Sequence, residues 1–279
     1  MSKLFSRRSS MPLRRPRSIK RPDPAMAITI KNEKEIELMR QAGHIVGLAH
    51  AAVQPAIVPG VTTKELDDIV REVIETNGAK PTFLGHLGFT GSICASVNEE
   101  IVHGIPGKKA LRDGDIISID IGATYQGYIG DSAWTYPVGT IDSESERLLD
   151  VTEESLYVGI EQAVAGNRLG DIGSAIERYI LSNGFGMVRE YGGHGVGRQM
   201  WEEPHVANHG KAGTGVVLRA GMTIAIEPMV NVGGDETLQL DDGWTVITRD
   251  RTRSAHFEHT ILIQNGPAEI LTKRVAVVV

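Results

Sequence analysis

One local pattern occurs twice in this chain. Leu111-Arg112-Asp113-Gly114-Asp115-Ile116-Ile117-Ser118-Ile119-Asp120 matches Leu218-Arg219-Ala220-Gly221-Met222-Thr223-Ile224-Ala225-Ile226-Glu227 at an offset of 107. Upstream, residues 60–78 match residues 166–184 at an offset of 106, with Asn77-Gly78 against Asn183-Gly184. Gly85-His86 matches Gly193-His194 at 108. Chance similarity between two helix-strand units does not hold an offset this nearly constant. The unit reads as a helix, a glycine loop and a strand tipped by an acid. Repeated units of this size bury their apolar faces against each other. Two such halves, packed about a pseudo-twofold axis, bring Asp120 and Glu227 together at the centre.

The strand of the first unit carries a second acid. Ile117, Ile119 and Ile121 alternate with small or polar neighbours, which is strand periodicity. Tyr125-Gln126-Gly127 reads as a turn. If the chain folds back between Tyr125 and Gln126, Asp120 lies directly opposite Asp131. Like charges facing each other destabilise a sheet. A bound divalent cation with oxygen ligands offsets that repulsion. The hairpin alone leaves open a plain solvated turn with two exposed acids.

Around the hairpin the pattern alternates helix and strand. Residues 33–54 have helical spacing and stop near Pro55. Thr62 and Glu65 form a capping-box pattern that opens a helix ending at Asn77-Gly78. Ser143 and Glu146 suggest another box, opening a helix to about Ala165. A helix over residues 170–183 follows. Residues 92–97, 222–232, 245–248 and 257–264 read as strands.

Length and charge narrow the class. The 279 residues are 41% hydrophobic and 23% charged, enough to bury a substantial core. No apolar run is long enough to span a bilayer. The single cysteine, Cys94, excludes an intrachain disulfide and suits the cytoplasm. Residues 1–25 hold eight Lys or Arg against one Asp, a net of +7. The remainder holds 21 bases against 34 acids, a net of −13. Pro12, Pro16, Pro22 and Pro24 oppose a helix in this arm. We expect residues 1–25 to form a disordered, basic, Pro/Arg-rich extension and residues 26–279 to form one catalytic domain. The arm suits attachment to ribosomes by counterion release, or organellar import. Met26 is itself a credible translation start.

The second half adds further acids and a histidine. Tyr191-Gly192-Gly193-His194-Gly195 is a glycine-flanked histidine, Glu227 precedes Pro228 on an apolar strand, and Glu258 lies in another. Each acid alone could be a satisfied core residue. A buried isolated carboxylate is costly, and four converging with one imidazole call for metal. Asp120, Asp131, Glu227 and Glu258 total −4, which two divalent ions neutralise. Two ions roughly 3.5–4 Å apart can acidify a bridging water and stabilise an attacked oxygen.

At these residues the chain resembles the type I methionine aminopeptidases of the M24 metallopeptidases. The resemblance covers residues 26–273. It rests on Val97-Asn98-Glu99, His103-Gly104-Ile105-Pro106, Asp120 with Asp131, Gly193-His194-Gly195-Val196-Gly197, Ile226-Glu227-Pro228-Met229, Asp242-Gly243-Trp244-Thr245 and Phe257-Glu258-His259-Thr260. It implies an α+β pita-bread fold, two pseudo-symmetric halves around a central curved antiparallel sheet. It implies two divalent ions (Co, Mn, Fe or Zn) held by Asp120, Asp131, His194, Glu227 and Glu258. Glu227 would carry the proton, and His103 would sit by the first peptide bond. Phe83, Phe89, Cys94, Trp201 and Trp244 would wall the pocket for the N-terminal Met of nascent polypeptides. A monomer is implied.

Three positions depart from the family pattern. A histidine usually precedes Glu202-Glu203-Pro204, where Trp201 stands here. A second, in the glycine loop before Cys94, is replaced by Leu87, with His86 shifted by one. Met200 stands where an aromatic is common. His205 and His209 lie near in sequence with no sign that they reach the site. The departures fall on the substrate side and leave the ligand set whole. The alternative is a pita-bread homologue, weak or inactive, serving as a ribosome- or partner-binding module. A proline-specific relative usually brings a larger N-terminal domain.

Overall fold

A computed structural model describes residues 27–275. The expectations for residues 1–25 and the Met26 start therefore lie outside the described residues. The first half runs α1 (Glu33–Val53), α2 (Thr63–Thr76), β1 (Lys80–Pro81), β2 (Ile93–Val97), β3 (Glu100–Val102), β4 (Ile116–Tyr125) and β5 (Tyr128–Pro137). The second opens with α3 (Ser143–Glu161) and α4 (Leu169–Ser182). Short strands follow: β6 (Gly186–Met187), β7 (Gly193–Gly195), β8 (Glu202–Val206), β9 (Thr223–Ile226) and β10 (Met229–Asn231). The last are β11 (Thr237–Gln239), β12 (Val246–Thr248), β13 (Ser254–His256), β14 (His259–Leu262) and β15 (Glu269–Ile270).

The duplicated pattern is a duplicated structure. α2 and α4 occupy the matched segments and both end at an Asn-Gly pair. Strand β4 lies between β2 and β5, and β9 lies between β7 and β14, all antiparallel. The central layer is built from separate sheets rather than one continuous ladder. One main-chain bond and several side-chain hydroxyls stitch the halves along β5. Glu258 N donates to Ala133 O at 2.8 Å, and Asp131 N to Thr260 Oγ1 at 3.1 Å. Ser132 Oγ donates to Glu258 O at 2.6 Å, and Thr135 Oγ1 to His256 O at 2.9 Å. This seam places Asp131 beside Glu258.

Helix α1 packs on β4 and β5, and α3 packs against α4. Between helices and strands lies the main core, which includes Leu66, Val70, Ile117, Ile119, Ile176 and Ile224. A smaller cluster, with Met39, Phe83, Phe89, Cys94, Tyr128 and Met200, forms next to the cleft described below.

Several boundaries differ from expectation for identifiable reasons. The Thr62–Glu65 capping box forms, with both reciprocal bonds present. The Ser143–Glu146 box does not form, because Asp142 is the N-cap. Its carboxylate accepts from Ser145 N at 2.8 Å and pairs with Arg253 at 2.6 Å. A charged acceptor with a cationic partner outcompetes the serine hydroxyl. Helix α3 also stops at Glu161, short of Ala165, where the chain turns to bond Gln264. The strand expected over residues 222–232 is split at Glu227-Pro228, since proline has no N–H for the ladder.

Candidate metal centre and substrate cleft

Asp120, Asp131, His194, Glu227 and Glu258 all line one cleft of about 510 Å³. Each arrives by a different local device. In the hairpin, Asp120 pairs with Ala133 and Gly122 pairs with Asp131. The two acids share a face but stand diagonally, not directly opposite as expected. A two-residue turn, Gln126 (φ 47°) and Gly127 (φ 84°), closes with Tyr125 opposite Tyr128 and sets that register. Diagonal Cα atoms are roughly 7–8 Å apart, which leaves cation-sized space between the side chains. Glu258 is fixed by the seam bonds to Ala133 and Ser132. Glu227 stands in the break between β9 and β10, its carbonyl accepting from Asn208 Nδ2 at 2.8 Å.

His194 needs its glycines. A Cβ on Gly193 would lie 2.1 Å from Ala225 O, and one on Gly195 would lie 2.2 Å from Glu203 O. Strand β7 is thus pressed between β8 and β9 more closely than any side chain permits. His194 Nδ1 is 2.9 Å from Gly195 O. A carbonyl only accepts, so Nδ1 carries the proton and Nε2 offers a lone pair. Nε2 lies 3.6 Å from Asp131 Oδ2 and 3.7 Å from Glu227 Oε1.

The donor chemistry fits divalent cations. Ligand atoms of Asp131, His194 and Glu258 lie within 4.8 Å of one another. Asp120 Oδ1, Asp131 Oδ1 and Glu258 Oε1 are buried without a hydrogen-bond partner among the described residues. Burial and then mutual repulsion push Asp131 and Glu258 well above the usual carboxylate range. Burial pushes Asp120 up to about 7. Three such acids buried in one pocket are what a cation of charge +2 or more would compensate.

Glu227 behaves differently. Burial works to raise it, but interactions led by its hydrogen bond with His256 outweigh burial and hold it below its ordinary value. His256 Nε2 lies 3.5 Å from Glu227 Oε2. The sequence reading missed His256, though a signal existed. In an extended chain, residues two apart point to the same side, so His256 and Glu258 share a face.

The expected pocket residues Phe83, Phe89, Cys94, His103, Trp201 and Trp244 all line the same cleft, with Met200 and His86. Cys94 pairs with Asp120 across β2 and β4, and burial followed by the Asp120 and Asp131 charges pushes its thiol up. His103 adopts φ 62° just beyond β3, and burial lowers it to about 4, so it is neutral near pH 7. Trp244 meets Phe89 edge-on at 5.0 Å and His103 at 6.3 Å. Asp242 aims it: one carboxylate oxygen accepts from Trp244 N and Thr245 N, the other from Thr245 Oγ1. His205 and His209 are not among the lining residues, and Leu87 is 74% exposed.

The turn carrying Trp201 hangs on a buried ion pair. Lys31 Nζ lies 2.7 Å from Glu202 Oε2, with the two side chains only 5% and 9% exposed. Glu202 also accepts from Arg198 N at 2.8 Å and Gln199 N at 3.3 Å. Removing one partner of a buried pair costs about 3–5 kcal/mol. Lys31→Met is therefore expected to lower the thermal midpoint by about 10 °C for a chain of this size. A drop below about 2 °C in a melting curve would mean that the pair does not pin the turn.

Comparison with known proteins gives the same picture. Residues 37–265 match Metallopeptidase family M24. Methionine aminopeptidase 1 of Bacillus subtilis (strain 168) is 52% identical over 246 residues, 88% of this chain and 99% of that protein. The methionine aminopeptidase of Escherichia coli (strain K12) is 43% identical over 251 residues, 89% and 95% of the two chains. The crystal structure of methionine aminopeptidase from Thermotoga maritima aligns with a TM-score of 0.87 at 48% identity, over 88% of this chain and all of that one. A prolidase from Pyrococcus horikoshii aligns with a TM-score of 0.71 at 27% identity, over 88% of this chain and 64% of that one. The chain belongs to metallopeptidase family M24 and has the pita-bread fold of the methionine aminopeptidases and prolidases.

Proposed function

We propose that this protein is a dinuclear metal-dependent methionyl aminopeptidase that removes the N-terminal Met of nascent polypeptides in the cytoplasm. The observation that carries the reading is the meeting of Asp131, His194 and Glu258 ligand atoms within 4.8 Å, in a cleft that Cys94, Phe89 and Trp244 also line. The naming of its relatives at 43–52% identity as methionine aminopeptidases supports it. Asp120, Asp131, His194, Glu227 and Glu258 hold two divalent ions. Oxygen-rich ligation with one imidazole accommodates Co, Mn, Fe or Zn. Bound there, the ions supply Lewis acidity and lower the pKa of water.

The chain's own groups do the rest. Glu227 takes the proton lost by water as its oxygen bonds to the scissile carbonyl carbon. It returns that proton to the amine nitrogen as the C–N bond breaks. Glu227 Oε2, 3.5 Å from His256 Nε2, is the carboxylate oxygen placed for that transfer. Neutral His103 offers a hydrogen bond near the substrate N-terminus without adding charge. Phe83, Phe89, Cys94, Trp201 and Trp244 hold the thioether side chain among sulfur and ring edges, which a polarizable sulfur favours. One chain supplies every ligand, so a monomer suffices. Residues 1–25, at net +7, suit attachment to ribosomal RNA.

The decisive assay is release of Met from Met-Ala-Ser across the four metals, with chelator as control, on the full chain and on a chain starting at Met26. Metal-dependent release by both is expected, with salt-sensitive ribosome binding by the full chain alone. Protein that takes up two ions specifically but releases no Met would sink the reading.

A further inference from the structure

Met200 and Trp201 reach the cleft from residues 197–201, a stretch that belongs to no strand. Met200 is part of the apolar cluster of Phe83, Phe89 and Cys94, and Trp201 and Trp244 pack against it. A turn without a ladder must satisfy its main-chain groups elsewhere. Glu202 Oε1 does this, accepting from Arg198 N at 2.8 Å and Gln199 N at 3.3 Å. Ile129 N donates to Gly197 O at 2.9 Å, and the Arg198 guanidinium lies 4.4 Å from the centre of the Tyr128 ring. The turn is thus gripped by the β4–β5 hairpin and by one carboxylate.

The other oxygen of that carboxylate is held from far along the chain. Glu202 Oε2 accepts from Thr29 Oγ1 and from Lys31 Nζ, each at 2.7 Å. Lys31 Nζ also donates to Thr29 Oγ1. Lys31 N donates to Gly221 O at 2.8 Å, in the loop that leads into β9. The pair lies close under the turn: a Cβ on Gly197 would stand 2.6 Å from Glu202 Oε1 and 2.8 Å from Lys31 Nζ. Burying two charges costs solvation, so such a pair often stabilises no more than apolar side chains of similar volume would. What its directed, charge-assisted bonds contribute instead is a single geometry for the turn.

We propose that Lys31 and Glu202 are positioning residues: by fixing Met200 and Trp201 they set the shape of the pocket, and with it how strictly Met is preferred over a branched side chain at the substrate N-terminus. This rests on the peptidase reading, which brings that side chain into the cleft. Lys31 and Glu202 are not among the lining residues, so they act through the turn. A wall that shifts by about 1 Å loses both its fit to an unbranched thioether and its clash with a branched side chain. Residues 29–31 thereby belong to the specificity apparatus although none of them lines the cleft.

The test uses the full-length metal-loaded protein and its Lys31→Met and Thr29→Val variants, with Met-Ala-Ser and Leu-Ala-Ser as substrates. Rates are taken about 15 °C below the lowest melting midpoint, so that every variant is folded. Lys31→Met is expected to raise KM for Met-Ala-Ser about tenfold with kcat within about threefold. The preference for Met over Leu, as a ratio of kcat/KM values, should fall about tenfold. Thr29→Val removes one hydroxyl and keeps the ion pair, and should shift both readouts the same way by about threefold. Metal stoichiometry stays unchanged in both. A pair that only stabilises the fold moves the midpoint but neither KM nor the preference, and that result in folded Lys31→Met would overturn the proposal. Where Lys31→Met does not fold, Thr29→Val decides, and a preference equal to the parent's overturns it. If the parent itself releases no Met, the peptidase reading fails separately and calorimetric binding of the two peptides decides. A binding preference for Met that Lys31→Met loses sustains the positioning role. A preference that it keeps, or none in the parent, overturns it.

Discussion

Asp131→Asn is expected to make the metal-free protein more stable and to abolish both metal uptake and release of Met. The two effects have one cause. Asp131 is 2% exposed, next to Asp120, Glu227 and Glu258, and its Oδ1 has no hydrogen-bond partner among the described residues. Without cations, folding gathers carboxyl groups where water cannot solvate them. Asparagine is neutral at every pH and of nearly the same shape, which removes the cost of holding this acid beside the other three. Removing a ligand also removes the means of holding the ions. A ligand that binds only the native state stabilises it by about 4 kcal/mol at a thousandfold excess over Kd. The parent should therefore melt roughly 10 °C higher with metal than without, and Asp131→Asn should show almost no such gain.

The same cluster fixes the sign of the pH dependence. Asp120 is pushed up to about 7, and Asp131 and Glu258 are pushed up further still. Raised acids bind protons more tightly in the native state than in the unfolded chain. Stability of the metal-free protein should then fall as pH rises from about 4 through 7. Saturating metal should flatten or reverse that fall, because the ions compete with protons for the same oxygens. Chelator-treated protein melting at the same temperature at pH 5 and pH 8, or Asp131→Asn retaining full metal uptake, would refute this account.

Much of this was legible in the sequence because glycines, isoleucines and acids recur at nearly fixed spacing. That spacing carried the duplication, the two Asn-Gly helix ends and the pairing of Asp120 with Glu227, while Asp131, His194 and Glu258 were read from their own local stretches. The parts that were not legible depend on information a linear pattern lacks. Period two tells which face Asp131 takes, but only the turn type fixes what stands opposite it, and Tyr125-Gln126-Gly127-Tyr128 admits more than one. Strand β8 gave no alternation to read, since Glu202-Glu203-Pro204-His205-Val206 mixes charge and proline. Asp142 displaced Ser143 as a cap through Arg253, a residue 111 positions away. His256 was overlooked beside Glu258, and its part emerged only when Glu227 proved to lie 3.5 Å away. His86 is the reverse case: its displacement by one from the family position was visible, but not that the turn aims it inward.

Glu227→Gln is expected to lower kcat by about 10²–10⁴-fold while leaving KM within a few-fold. Glu227 is the cleft carboxylate held below its ordinary range despite burial, chiefly by its hydrogen bond with His256. Its two oxygens face imidazole nitrogens, Oε1 at 3.7 Å from His194 Nε2 and Oε2 at 3.5 Å from His256 Nε2, which sets it apart from the acid-facing Glu258. Its place beyond the end of β9 leaves the carboxylate free of ladder constraints, while its carbonyl is tied to Asn208. Glutamine keeps the length and one oxygen but cannot take up a proton, so shape and part of the metal affinity survive while proton transfer does not. Glu227→Asp keeps the chemistry and shortens the reach by one methylene, and should fall between the two. A merely structural carboxylate predicts the opposite order, with Gln tolerated and Asp damaging. Steady-state rates for the pair on Met-Ala-Ser, beside metal stoichiometry for each, separate the alternatives. Glu227→Gln within tenfold of the parent would remove this residue from the proton path.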